Sequence, residues 1–400
     1  MNGLLWILGL LGHAGIWATA YNQIHATACP KASRKILEKA ILLIVFLPIL
    51  FVLAPFVPAT YLRSLQVSID WLTLENESWL KQVAVVYGAI CVPAGIFFAA
   101  RWGYRKLTYQ TPTAVRLDQS EIVNVQKVLG QPLLRGWFAR TLGCLPFNQV
   151  QLLDRHTIEL VLDLPNQLDG LRICHLSDLH FTGQLDRKFF EYVVAQANEF
   201  EPHLTMITGD LIDKDKCIAW LPDTLGRLTA SIGRFLVLGN HDLMLNDQQT
   251  YLNSLKELGL ERLNSGWKEI DCDGALIRIA GNELPWYSGA EGLPNLGPPT
   301  ENELRLLLTH TPDQMNWACQ HHFSLVLAGH NHGGQISFPL IGPVIVPSRY
   351  GVKYASGTFE KQGMLIHVSR GISGDEPIRI CCPPELSLIT LRSSQISTVN

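Results

Sequence analysis

Charge is scarce in this 400-residue chain, and the little there is cancels. Only 17% of residues are charged, with 32 Lys and Arg against 35 Asp and Glu, while 47% are hydrophobic. No basic field therefore argues for a nucleic-acid partner, and no acidic excess argues for a disordered tail. Soluble globular chains carry about a quarter charged residues, so part of this one is expected to lie outside water. Cysteine organisation is missing as well. Nine cysteines, an odd number, form no C-x-x-C pair, and the one vicinal pair, Cys381-Cys382, falls in a β-like run. The pattern excludes a small stapled fold and predicts mostly buried, reduced thiols, compatible with a reducing compartment. The length allows two or three units.

The apolar excess is concentrated in the first hundred residues. Ala40 to Ala59 is uncharged and long enough to cross a bilayer, interrupted only by Pro48, Pro55 and Pro58. A second run, Val83 to Ala100, is bracketed by Lys81 and by Arg101, Arg105 and Lys106. Gly3 to Tyr21 is apolar apart from His13 and reads as a first span or as a signal peptide ending near Ala18-Thr19-Ala20; no Lys or Arg precedes it, which favours a span. Positive residues favour the cytoplasmic side. Lys31, Arg34, Lys35 and Lys39 and the stretch after Ala100 are basic, whereas Asp70, Glu75 and Glu77 lie between the second and third runs. Three spans then put the C-terminal bulk in the cytoplasm, giving a membrane region over 1–106. His13 is expected at a helix interface, with a functional intramembrane group as the alternative.

Residues 107–150 are expected to form a connector. Within it, Pro132 to Arg140 mixes Trp137, Phe138 and leucines with Arg135 and Arg140, as interfacial helices do. The alternative is that it packs on the following domain, 151–400.

That domain carries the chemistry. Continuous apolar β-like runs occur at Leu171–Leu176, Leu204–Thr208, Arg234–Leu238, Arg305–Thr309 and Ser324–Ala328, with a helix-like stretch at Asp186–Phe200. Such strands suit a sheet covered on both faces, hence an α/β architecture. Each run ends in polar residues: Ser177-Asp178-Leu179-His180; Gly209-Asp210-Leu211-Ile212-Asp213; Gly239-Asn240-His241-Asp242; His310; and Gly329-His330-Asn331-His332-Gly333-Gly334. Ligands collect beyond the carboxyl ends of strands in open α/β sheets, so the five tips are expected to converge on one crevice. Any one cluster alone reads as a turn with a hydrogen-bonded Asp or His; five together do not.

The donor types agree with one another. Asp, His and Asn without thiolate favour Mn, Fe or Zn. Asp178, His180, Asp210, Asn240, His310, His330 and His332 exceed one tetrahedral set, so two divalent ions are expected, with a carboxylate such as Asp210 able to bridge them.

In order and spacing, D-x-H, G-D-x-x-D, G-N-H-D, a lone His and G-H-x-H resemble the calcineurin-like metallophosphoesterases, and Pro383-Pro384-Glu385-Leu386 looks like the end of the membrane-associated phosphodiesterase branch. The resemblance covers roughly Gln151 to Arg392. It implies a four-layer α/β/β/α sandwich, here preceded by an N-terminal α-helical transmembrane region. It also implies one ion on Asp178, His180, Asp210 and His332 and another on Asp210, Asn240, His310 and His330. His241 would then serve the phosphate or leaving oxygen as a non-ligand histidine, with Asp242 orienting it, and the two ions would activate water for in-line attack. Asp213 could support the site or merely cap a helix. His175 and His203 are expected to be structural. Two loops could choose the substrate: Gly281 to Thr300, with Trp286 and Tyr287, and Phe338 to Lys353, with Arg349, Tyr350 and Lys353.

The expected function is hydrolysis of a phosphodiester, pyrophosphate or phosphomonoester by an enzyme of the inner, cytoplasmic membrane. A lipid-linked substrate is attractive, since the resemblance extends to hydrolases of UDP-2,3-diacylglucosamine. The competing class is a non-enzymatic metal-binding membrane scaffold or sensor, and a protein phosphatase is a third reading. The oligomeric state is left open.

Overall fold

The computed structural model describes residues 2–28, 33, 36–45, 78–264, 266–287 and 297–394. The chain divides into two compact units, Met1–Gln110 and Thr111–Asn400.

In the first unit, helices α1 (Asn2–His25) and α2 (Ser78–Thr108) pack together. Within them, Gly3–His25 and Val86–Thr108 are long and apolar enough to cross a membrane. Gly12 lies against the Cys91 carbonyl and Gly95 against the Leu8 carbonyl, where a Cβ would overlap backbone. Small residues of this kind let apolar helices approach closely. His13 is buried in the same interface, its Nδ1 2.7 Å from the Tyr87 hydroxyl, which also accepts from Trp17 Nε1 at 2.8 Å. The expected span at 40–59 is helical over 40–45 and otherwise lies outside the described residues, as does the acidic loop after it.

The second unit contains β1 (Val115–Asn124), β2 (Leu152–Leu162), β3 (Leu171–Leu176), β4 (Leu204–Thr208), β5 (Gly233–Val237), β6 (Glu261–Arg262), β7 (Trp267–Cys272) and β8 (Ala275–Asn282). It continues with β9 (Glu303–Thr309), β10 (Leu325–Ala328), β11 (Ser337–Phe338), β12 (Gly342–Pro343), β13 (Gly357–Lys361), β14 (Met364–Val368) and β15 (Glu385–Ser393). Its helices include α3 (Trp137–Gly143), α4 (Arg187–Glu199), α5 (Gln248–Glu257) and α6 (Met315–Gln320). One sheet runs β1-β2-β15-β3-β4-β5-β6 and the other β13-β14-β10-β9-β8-β7. Strands β3 to β6 are parallel, as are β8, β9, β10 and β14.

Alternate residues of each central strand enter different cores. Ile173, Leu204, Met206 and Val237 meet Leu306, Leu308, Leu325 and Leu327 between the sheets. On the outer face of the first sheet, Cys174, Leu176, Ile207 and Leu236 pack under α4 and α5. Leu307, Val326 and Ile366 cover the outer face of the second sheet with Met315 and Ala318 of α6. The result is the expected α/β/β/α layering, and it explains why these strands read as continuous apolar runs. Helix α4 shows the local logic. Asp186 caps it by accepting from Lys188 N, and Phe189, Phe190, Val193, Val194 and Ala197 form its buried stripe. Each large side chain there contributes roughly 1.5–3 kcal/mol of transfer free energy.

Residues 107–150 do more than connect. β1 pairs antiparallel with β2 and extends the first sheet, while Leu133, Leu134 and Ala139 join its core. Among the described residues, eight cysteines carry free thiols, four of them buried.

A buried ionic network ties the C-terminal strand to β2. Glu385 accepts from His156 Nδ1 at 3.0 Å and from Arg370 Nε at 2.6 Å; Arg370 also reaches Asp154 at 2.5 Å, and His156 Nε2 lies 2.6 Å from Asp118. Burial would lower the His156 pKa, but Glu385 and Asp118 overcome it and raise it to about 9. Because this value lies above the unfolded one, near 6.5, the stabilisation is complete below about pH 6.5 and is lost as pH rises through 9. Thermal unfolding in detergent should therefore show Tm falling from pH 6.5 to 9. His156→Asn should flatten that slope by an amount equivalent to a few kcal/mol, roughly 1.4 per pKa unit.

Candidate metal centre

Five strand ends deliver the seven expected donors to one crevice. The backbone there is unusual: Asp178, His180, Asp210, His330 and His332 all have positive φ, between 44° and 68°. Non-glycine residues pay about 1–3 kcal/mol for such conformations, so the surroundings must hold them. Asp178 N donates to Gly209 O at 3.0 Å and His180 N to Asp210 O at 2.9 Å, while His330 N donates to the Asp178 carboxylate. Gly329 is required because a Cβ there would collide with Ser177 Oγ and Asp178 Oδ2.

The donors form two clusters, Asp178, His180 and His332 in one and Asp210, His310 and His330 in the other. In the first, His180 Nε2 is 3.2 Å from His332 Nε2, which is 3.3 Å from Asp178 Oδ1. In the second, His310 Nε2 lies 3.1 Å from His330 Nδ1, 3.2 Å from Asn240 Oδ1 and 3.2 Å from Asp210 Oδ2. Two ligands that share an ion at about 2.0–2.2 Å are themselves roughly 3.1–3.5 Å apart, so these spacings fit metal binding. Asp210 reaches both clusters. Its Oδ1 accepts from His241 N at 2.7 Å, and its Oδ2 faces His310 Nε2 and, at 3.6 Å, His180 Nε2.

The far side of three of the four rings is also fixed. His180 Nδ1 donates to Asp213 Oδ2 at 2.9 Å and His310 Nδ1 to Thr208 O at 2.7 Å, while His332 Nδ1 is 3.1 Å from Ser373 O. A proton on Nδ1 leaves the Nε2 lone pair of the neutral ring aimed inward, the orientation common to metal-bound histidines.

The electrostatics show two buried acids seeking positive charge. Burial, reinforced by Asp210, raises the Asp178 pKa. Asp210 is equally buried, yet His310 and His241 hold its carboxyl well below the usual range. Burial opposes charge on the histidines too, but Asp210 raises His310 to about 9, and Asp210 with Asp213 raises His241 to about 10. Divalent cations would take over this compensation and release the protons.

Asp242 corrects an expectation. Its carboxylate does not reach His241 but turns inward, accepting from Gly239 N at 2.9 Å, Asp210 N at 2.9 Å, Leu211 N at 3.1 Å and the Tyr251 hydroxyl at 2.8 Å. The reason is the turn at 242–244, which points Asp242 under two strand tips and makes it a clamp between them. The partner of His241 is Asp213, whose Oδ1 lies 2.6 Å from His241 Nδ1. Asp213 thus steadies a donor and the non-ligand histidine together, a role its G-D-x-x-D position could have revealed.

Other pieces had no sequence signal. Arg379 is fully buried beneath His332 and donates to the carbonyls of His332, Arg370, Gly371 and Ser373, which fixes the loop after β14 against the site. In the first expected substrate loop, Trp286 lies edge-on to His310 and His330 at ring distances of 5.3 and 4.7 Å. In the second, Arg349 N donates to Asp313 and Lys353 lies over the Tyr354 ring. His175 bonds Thr208 Oγ1, and His203 accepts from Arg172 N; both are embedded in the sheet framework.

A layered fold with a His/Asp centre at its strand tips defines a metal-dependent phosphoesterase. The chain belongs to the calcineurin-like metallophosphoesterase family and is a hydrolase; the family match, described as calcineurin-like phosphoesterase, spans residues 171–334. It is 30% identical over 251 residues to the metallophosphoesterase YkuE of Bacillus subtilis, covering 60% of this chain and 85% of that one. It is 29% identical to the Danio rerio transmembrane protein with metallophosphoesterase domain, covering 44% of this chain and 43% of that protein. Against the UDP-2,3-diacylglucosamine pyrophosphatase LpxG of Chlamydia trachomatis it is 24% identical, covering 56% and 84%. Together with the two apolar helices, the transmembrane relative points to membrane association.

Asp213→Asn should weaken Mn²⁺ binding by about 10–100-fold, the usual effect of removing a partner that orients a ligand. Calorimetric titration of metal-free protein measures this without reference to turnover.

Proposed function

We propose that the protein is a membrane-anchored phosphoesterase using two divalent cations of the Mn, Fe or Zn type. One would be held by Asp178, His180, Asp210 and His332, the other by Asp210, Asn240, His310 and His330. The observation that carries this reading is Asp210 Oδ2, which faces a ligand of each cluster at once. Bound there, the cations supply Lewis acidity toward phosphoryl oxygens and activate water.

The chain's own residues do the rest. His241 is more exposed than its neighbours, 18% open at the side chain against 14% for His332 and 5% for Asp213 beneath it. Held through Nδ1 by Asp213 and kept protonated by the neighbouring carboxylates, it is placed to donate toward the phosphate or leaving oxygen. Trp286 walls the His310 and His330 side and limits water there. The substrate class is a phosphodiester, pyrophosphate or phosphomonoester. A lipid-linked pyrophosphate such as UDP-2,3-diacylglucosamine is supported by the similarity to LpxG and by the apolar helices. The basic residues Lys31, Arg34, Lys35, Lys39, Arg101, Arg105 and Lys106 support a multi-pass anchor in the inner membrane with the catalytic unit on the cytoplasmic side.

The test is turnover by purified full-length protein with Mn²⁺ on bis-p-nitrophenyl phosphate, p-nitrophenyl phosphate and UDP-2,3-diacylglucosamine, beside Asn240→Ala. Metal-dependent cleavage that Asn240→Ala abolishes is expected. Cleavage of simple diesters with the nucleotide-lipid left intact would remove that substrate from the proposal. His241→Asn should lower kcat by about 10²–10⁴-fold with metal stoichiometry, measured by elemental analysis, unchanged.

A further inference from the structure

Beside the metal centre the second unit carries a band of bare apolar side chains that neither core nor chemistry explains. α3 and the turn after it expose Trp137 at 80%, Phe138 at 42% and Phe147 at 81%; the β11–β12 hairpin exposes Phe338 at 50%, Leu340 at 84% and Ile341 at 57%. The two groups are distant in sequence but adjoin through one residue. Ile380 bridges to Asn148 on one side and to Ile336 on the other, with Ile380 N donating to Gln335 O at 3.0 Å and Ser337 N to Ile380 O at 2.9 Å. Neighbouring strands lie about 4.8 Å apart, so Phe147 and Phe338 leave this small ribbon with backbones roughly 10 Å apart.

The band also borders the crevice. β11 begins five residues after His332, and Asn148 Nδ2 donates to Pro377 O in the same loop whose Ser373 carbonyl meets His332 Nδ1. Single exposed apolar residues are ordinary, but six large ones on two adjoining segments form a patch of the kind that marks an interaction surface. Four are aromatic, and exposed Arg140 lies on the same helix as Trp137, the composition of segments that rest in the headgroup layer. Connectivity identifies the occupant. Only six residues separate Thr108 at the end of α2 from Val115 at the start of β1, a reach of about 25 Å, so the second unit stays beside whatever bilayer the apolar helices occupy.

We propose that this rim inserts shallowly into the lipid surface of the anchoring bilayer and brings the phosphate of a lipid-borne ester to the neighbouring metal centre. The second half rests on the phosphoesterase reading; the docking rests only on membrane anchoring.

The test uses full-length protein in proteoliposomes of phosphatidylethanolamine and phosphatidylglycerol containing an alkyne-tagged phospholipid. Leu340 or Phe147 is replaced by the photoreactive p-benzoylphenylalanine, with Asp273, in the exposed turn after β7, as the control. Lipid adducts at 340 and 147 but not at 273 are expected. Adducts to a second copy of the chain instead of lipid, or equal lipid labelling at all three positions, would overturn the docking. In a second arm, Phe147→Glu with Trp137→Glu should slow cleavage of a bilayer-embedded diacylglycerol p-nitrophenyl phosphodiester at least tenfold. Turnover of soluble bis-p-nitrophenyl phosphate should stay within twofold. Unchanged cleavage of the embedded ester would count against the rim. The two readings fail separately: lipid adducts without turnover of either ester would refute the phosphoesterase reading alone, and soluble turnover without lipid adducts would refute the docking alone.

Discussion

Asp178 and Asp210 are buried within one crevice, where water cannot compensate their charge, and the surrounding architecture answers that demand. An unpaired buried carboxylate costs several kcal/mol, and two side by side cost more. The fold responds in layers: ring nitrogens at 3.2–3.3 Å from carboxylate oxygens, backbone N–H groups from His241 and His330, and beyond them Asp213, Asp242 and Arg379 fixing the groups that make those contacts. The left-handed backbone at five donors belongs to the same response. An extended strand tip would leave Asp178 and His180, two residues apart, on one face with backbones about 6.6 Å apart; positive φ at both takes the chain out of that geometry, and His180 Nε2 lies 4.0 Å from Asp178 Oδ1.

Much of this was legible because central strands of a doubly covered sheet announce themselves. Leu171–Leu176, Leu204–Thr208 and the runs ending at Thr309 and Ala328 are apolar on both faces, and each is followed at once by donor residues. β1 and β2 were harder to see. β1 is mostly exposed, and β2 alternates, with His156 and Asp154 at buried positions where polarity argues against a strand. Their charges make sense only with Glu385 and Arg370, more than 200 residues away. Asp242 shows another limit: adjacency in sequence gives no direction to a side chain, and one turn sends His241 to the crevice and Asp242 beneath it. Arg379 lies in no motif, because what defines its role is a ring of carbonyls assembled from distant segments.

The division of labour in the second unit follows from its layers. The inter-sheet core is rigid and apolar, the strand ends hold the charged centre, and the segments at the crevice rim, α3, the β11–β12 hairpin and the Trp286 loop, are where apolar and aromatic side chains meet solvent. The donors sit at the ends of central strands while the segments around them are exposed, an arrangement that lets one scaffold serve different phosphoesters.

The position of β15 has a consequence for how such a protein is made. It lies in the middle of the first sheet, parallel to β2 on one side and antiparallel to β3 on the other. Until the ribosome has released Glu385–Ser393, β2 and β3 have no partner across that gap, and Asp154, His156 and Arg370 wait without the carboxylate that joins them. The apolar helices precede β15 in the chain, so they can enter a bilayer before the first sheet can close. Closure of the first sheet is therefore a long-range event that waits for β15, and chaperones that shield open strand edges have most to do in that interval.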